Sequence, residues 1–151
     1  ALLYKHWEEI GGITHTHSTY ATAWAQAQRD IPIFGTTHAD HLTKDIPCAP
    51  PMSDEMIAGN YEHETGFQII NHFSEKKLDY KEVEMILVGN HAPFAWGKTG
   101  AKSVYNSAVL EQVAKMAWLT EQINPKAARL KAALVKKHYE RKHGANSYYG
   151  Q

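Results

Sequence analysis

The chain has 151 residues and is 43% hydrophobic, one domain's worth of sequence that can bury roughly two thirds of its unfolded surface. Lys plus Arg and Asp plus Glu number 16 each, so no net field favours nucleic acid or an anionic membrane surface as a partner. The single cysteine, Cys48, excludes an intrachain disulfide framework and suits the cytoplasm, and no apolar run approaches the ~20 residues of a membrane helix.

Residues 1–10 read as a helix: Leu2, Leu3 and Trp7 lie at helical spacing, with no capping residue ahead of them, as if the chain started inside an element. Gly11-Gly12 stops it, and 13–17 is a short strand. Ser18 or Thr19 then caps a helix through Tyr20, Ala23, Trp24 and Ala27. Pro32 ends continuation, 33–36 reads as a second short strand, and a polar stretch leads into the proline-bounded segment 46–51. Ser53-Asp54-Glu55 is a cap and acidic first turn for a helical region reaching about Lys76, interrupted near Gly59. Met85 to Val88 is a buried strand and 89–97 a loop. Two helices follow, over 101–123 with Val104, Ala108, Val109, Val113, Met116 and Ala117 as its core stripe, and over 125–142 with Pro125 in the first turn. Strands between long helices predict a layered α/β domain.

The histidines His15 and His17 are spaced i, i+2. On a strand that spacing puts both rings on one face with Cα atoms ~6.6 Å apart, close enough to converge on one metal ion. A third imidazole completes a typical catalytic zinc set, and His91, just beyond the Met85 to Val88 strand, sits in the kind of loop where α/β proteins place chemistry. With ten histidines in the chain, incidental pairing is the competing reading.

Five segments carry a resemblance in order along the chain: Gly12-Ile13-Thr14-His15-Thr16-His17-Ser18; Gly35-Thr36-Thr37-His38-Ala39-Asp40; Ile46-Pro47-Cys48; His91 through Lys98; and Lys137-His138-Tyr139-Glu140-Arg141-Lys142-His143-Gly144 through Tyr148-Tyr149-Gly150-Gln151. Together they resemble the L-ribulose-5-phosphate 4-epimerases of the class II aldolase and epimerase family. The resemblance implies a three-layer α-β-α domain with a central mixed, largely antiparallel sheet, and residues 1–151 would be its C-terminal part. The family's N-terminal phosphate-binding loops and an acidic residue beside the metal would then be absent, and this chain alone would turn over at least ~10²-fold more slowly than the intact enzyme.

By the same resemblance, His15, His17 and His91 bind one Zn²⁺ per subunit, and Asp40 and Tyr149 are the acid/base pair, Tyr149 reaching in from a neighbouring subunit. Thr36, Glu62, His138 and Arg141 lie near the substrate; the bland readings are a strand-end hydroxyl, a helix-surface charge, an exposed helix residue and part of a solvated basic run. The reaction implied is interconversion of L-ribulose 5-phosphate and D-xylulose 5-phosphate by retro-aldol cleavage and re-addition at C3–C4, in a cytoplasmic homotetramer with sites at subunit interfaces. The pathway, arabinose or ascorbate catabolism, stays open. A class II aldolase that releases its aldehyde and a non-catalytic module such as the adducin head, which lacks the zinc ligands, are the alternatives.

Overall fold

A four-stranded sheet carries helices on both faces. In the computed structural model, which describes residues 1–144, 147 and 148, the chain runs α1 (Leu2–His6), β1 (Gly12–His15), α2 (Thr19–Gln26), α3 (Thr36–Ala39), β2 (Cys48–Ala49), α4 (Asp54–Ala58), α5 (Tyr61–Glu75), β3 (Met85–Val88), β4 (Pro93–Gly97), α6 (Gly100–Ile123) and α7 (Ala132–His143). The strand order is β1-β4-β3-β2, with β4 antiparallel to both its neighbours and β2 parallel to β3, so the sheet is mixed and largely antiparallel.

Every residue of β3 is buried because both faces are covered. Met85 and Leu87 point into a core built with Trp24 and Ala25 of α2 and Leu110, Val113 and Ala114 of α6. Ile86 and Val88 point the other way, into Leu3 of α1, Ile69 and Phe73 of α5, and Trp96. These two cores make the domain three-layered. None of the described helices is long and apolar enough to cross a membrane.

Helix starts follow their capping chemistry where a polar side chain stands at the right place. Ser53 accepts from the Met56 amide and Asn60 from the His63 amide, and Gly59 separates α4 from α5. Thr99 caps α6 in the same way.

Several segments differ from the sequence expectation. The presumed loop 89–97 contains an interior strand, β4, whose Phe94 and Trp96 face one core and Ala95 the other. Pro93 is tolerated because it is the strand's first residue. The run 33–36 forms no strand: the Ile33 amide donates to the Asp45 carboxylate and its carbonyl accepts from Leu130, while Thr36 opens α3. Residues 125–131 are not helical. Asn124 makes a turn there, its side chain accepting from the Lys126 amide, and α7 starts only at Ala132. The opening helix ends at His6 and β1 at His15, both earlier than expected. The buried stripe of α6 is Ser103, Asn106, Leu110, Val113, Ala114 and Ala117, and Val104 is exposed. Asn106 is tolerated inside because its amide donates to the Trp96 carbonyl and the Glu84 carboxylate.

Gly12 marks where β1 passes the start of α6. A Cβ there would lie 2.5 Å from the Gly100 Cα, so only glycine permits the approach that seats β1 beside β4.

Candidate metal centre

His15 is the last residue of β1 and stands opposite Phe94 in the β1–β4 ladder. Its Nδ1 lies 3.0 Å from the Pro93 carbonyl oxygen, which can only accept, so Nδ1 is the donor and Nε2 is the nitrogen left to meet a metal ion. His17 follows two residues later in the joint between β1 and α2 and is exposed.

His91 comes from the turn between β3 and β4. Its amide donates to the Val88 carbonyl, and Asn90 holds the left-handed position with φ of 60°. The turn is pressed against β2: a Cβ on Gly89 would lie 2.7 Å from the Ala49 carbonyl oxygen. Adjacency of β1, β4 and β3 then brings the three rings together. The centroids are 5.1 Å apart for His15 and His17, 4.8 Å for His15 and His91, and 5.3 Å for His17 and His91. One ligand atom from each lies within 4.8 Å of the others.

The donor set fits a metal ion. The His91 Nδ1 is buried with no hydrogen-bond partner among the described residues, and a buried polar atom left unpaired is costly unless something else satisfies it. Burial first, and then the neighbouring His15 and His17, push the His91 pKa below its usual value, so its ring is neutral and ligand-ready near pH 7. Three imidazoles suit Zn, Cu, Fe or Ni.

Tyr61, which the sequence did not single out, heads α5 with its ring centroid 6.1 Å from that of His91. With Pro51, Met52 and Gln68 it borders a cavity of about 170 Å³ beside His91. Its neighbour Glu62 is exposed in the same first helical turn.

A second cluster forms where α3 meets α7. Thr36 begins α3 and its carbonyl accepts from the Asp40 amide, one turn on. The Asp40 carboxylate accepts from His138 Nδ1 at 2.9 Å and from Arg141 Nε and a terminal nitrogen at 3.2 and 3.0 Å. The ring nitrogen Nε2 of His143 donates to the Asp40 backbone carbonyl at 3.0 Å. Burial works to raise the Asp40 pKa, but the hydrogen bonds and charges of His138 and Arg141 prevail and hold it below the usual carboxylate value. Of the sequence-derived site residues, Asp40, His138 and Arg141 thus meet one another and Thr36 adjoins them, while Tyr149 lies outside the described residues. A cavity of about 670 Å³ runs under α7 along Val135 and Tyr139 and is lined by none of the three histidines.

The sequence profile of the class II aldolase and adducin N-terminal domain matches residues 1–118, a span that includes all three histidines. The chain belongs to that family. Its fold is shared with several solved structures. An L-fuculose 1-phosphate aldolase superposes with a TM-score of 0.67 at 19% identity, over 93% of this chain and 59% of that one. The L-fuculose 1-phosphate aldolase from Glaciozyma antarctica PI12 gives 0.67 at 15%, over 93% and 47%. YgbL from Klebsiella pneumoniae, whose aldolase/epimerase/decarboxylase assignment is itself provisional, gives 0.66 at 22%, over 90% and 60%. The chain therefore spans at most 60% of the length of these three proteins, and at such identities the likeness is one of fold.

Proposed function

We propose that this chain carries the metal face of a zinc-dependent sugar-phosphate epimerase interconverting L-ribulose 5-phosphate and D-xylulose 5-phosphate. The observation that carries the reading is the convergence of His15, His17 and His91, with the His91 Nδ1 buried and unpaired. Membership of the class II aldolase family supports the same chemistry class.

The substrate dictates the route. The C4 proton of a 2-ketopentose is not α to the carbonyl, so deprotonation at C4 forms no resonance-stabilised anion, whereas breaking C3–C4 does. Cleavage gives the enediolate of dihydroxyacetone and glycolaldehyde phosphate; the aldehyde rotates and is re-added on its other face. Bound zinc would supply Lewis-acid stabilisation of the negative charge that develops on the ketose oxygens, worth several kcal/mol.

The chain's own residues handle the protons. Asp40, kept ionised by His138 and Arg141, takes the C4 hydroxyl proton as the bond breaks, and Tyr149 returns one from the opposite side, each group contributing roughly 10²–10⁴-fold. Thr36, Glu62 and Arg141 hold the substrate, Arg141 through its phosphate. In the assembly proposed with this reading, four chains form a closed ring in which Tyr149 serves a neighbour's site.

The test is metal analysis of the natural full-length protein followed by incubation with L-ribulose 5-phosphate. One zinc per chain and formation of D-xylulose 5-phosphate are expected. Accumulation of glycolaldehyde phosphate would assign an aldolase instead, and absence of both bound metal and turnover would make the domain a binding module.

A further inference from the structure

Helix α2 starts without a cap of its own. Ser18 is its N-cap residue by backbone geometry, yet the Ser18 hydroxyl accepts nothing from the helix and is buried without a partner. The amides that an N-cap side chain ordinarily satisfies belong to the second and third helical residues, here Tyr20 and Ala21. Both are taken by Glu111, from the middle of α6. Its Oε1 accepts from the Tyr20 amide at 2.9 Å, and its Oε2 from the Ala21 amide at 2.9 Å and the Tyr20 amide at 3.1 Å. The carboxylate also meets the positive end of the α2 dipole.

This cap lies next to the metal face. Three residues, Thr16, His17 and Ser18, join β1 to α2, and His17 is the middle one. The joint is not held by its own hydroxyls, since Thr16 Oγ1 is buried and unpartnered like that of Ser18. It is pinned at its ends: upstream by the pairing of His15 with Phe94, downstream by Glu111.

We infer that Glu111 is a positioning residue for His17: by capping α2 from α6 it fixes the joint so that the His17 imidazole faces His15 and His91. The inference rests on the metal reading of the three histidines.

Titration with Co²⁺, read by its d–d absorption and by calorimetry at a temperature where circular dichroism shows every variant folded, tests it. Glu111→Ala should weaken Co²⁺ binding about 10-fold, the lower end of what loss of an outer-shell partner costs, and alter the absorption band. In a His17→Asn background the same change should add nothing, because its effect passes through His17. Adding Ser18→Asp to Glu111→Ala gives α2 a local carboxylate for the same two amides and should restore both affinity and band. Should Glu111→Ala not fold, Glu111→Gln, which keeps one acceptor, should show a smaller loss in the same direction. Wild-type affinity in the Glu111 variants, or an equal further loss in the His17→Asn background, overturns the positioning role alone. Failure of the wild-type protein to bind Co²⁺ overturns the metal reading and this inference with it.

Discussion

His15 and Phe94 face each other across the β1–β4 ladder, and their rings stack with centroids 4.1 Å apart and planes 14° from parallel. Opposed residues on one face of an antiparallel pair are the closest side-chain neighbours a sheet offers. The stack, together with the hydrogen bond from Nδ1 to the Pro93 carbonyl, sets the rotation of the His15 ring and aims its Nε2. Phe94→Ala should therefore weaken metal binding about 10-fold although no ligand is removed. Zinc competition against a chelator, compared with His15→Asn as the full loss, measures it; undiminished affinity would mean that Phe94 does not orient the ring.

Asp40 links α3 to α7 through His138 and Arg141. Its carboxyl is held below the usual range, so the folded state binds this proton less readily than the unfolded chain. The resulting stability is present above the unfolded carboxyl's pKa of about 3.9 and is lost as pH falls through the folded value. Arg141→Ala should raise the Asp40 pKa toward the ordinary value and flatten the acid limb of the melting curve against pH. Carboxyl NMR of the two proteins decides the matter, an unmoved Asp40 titration being the adverse result.

His38 is 3% exposed, and burial pushes its pKa down to about 4; burial, with Lys142 and Lys102 nearby, brings His41 down to about 4 as well. Between that value and about 6.5 the unfolded chain binds protons that the folded chain refuses, so stability rises with pH across this window. Acidifying from pH 6.5 to 4 should cost up to about 1.4 kcal/mol per pH unit for a group that titrates fully only when unfolded. His38→Gln should make the dependence shallower in urea midpoints measured across that range, and an unchanged slope would show that His38 protonates without unfolding.

Much of the three-histidine cluster was legible because its signal is local. The i, i+2 spacing of His15 and His17 and the place of His91 after an unbroken apolar strand are properties of short windows. Strand β4 was hidden for an equally local reason: Gly89, Asn90, Pro93 and Gly97 are turn residues, and their density masked the alternation of Phe94, Ala95 and Trp96. The reverse happened at Ile33, whose apolar surroundings suggested a strand while its backbone groups are satisfied by Asp45 and Leu130. Propensity is a weak prior where such distant partners compete.

The sequence by itself determined which imidazoles are on offer, the apolar centre of the sheet and the long helix that backs it, since each depends on residue type and short-range period. Only the tertiary structure decided that the three imidazoles meet, that Asp40 is bound by His138 and Arg141, and that α2 is capped by Glu111. Those are contacts between groups far apart in the chain, made when two cores close on either side of the sheet, and no local window contains both partners.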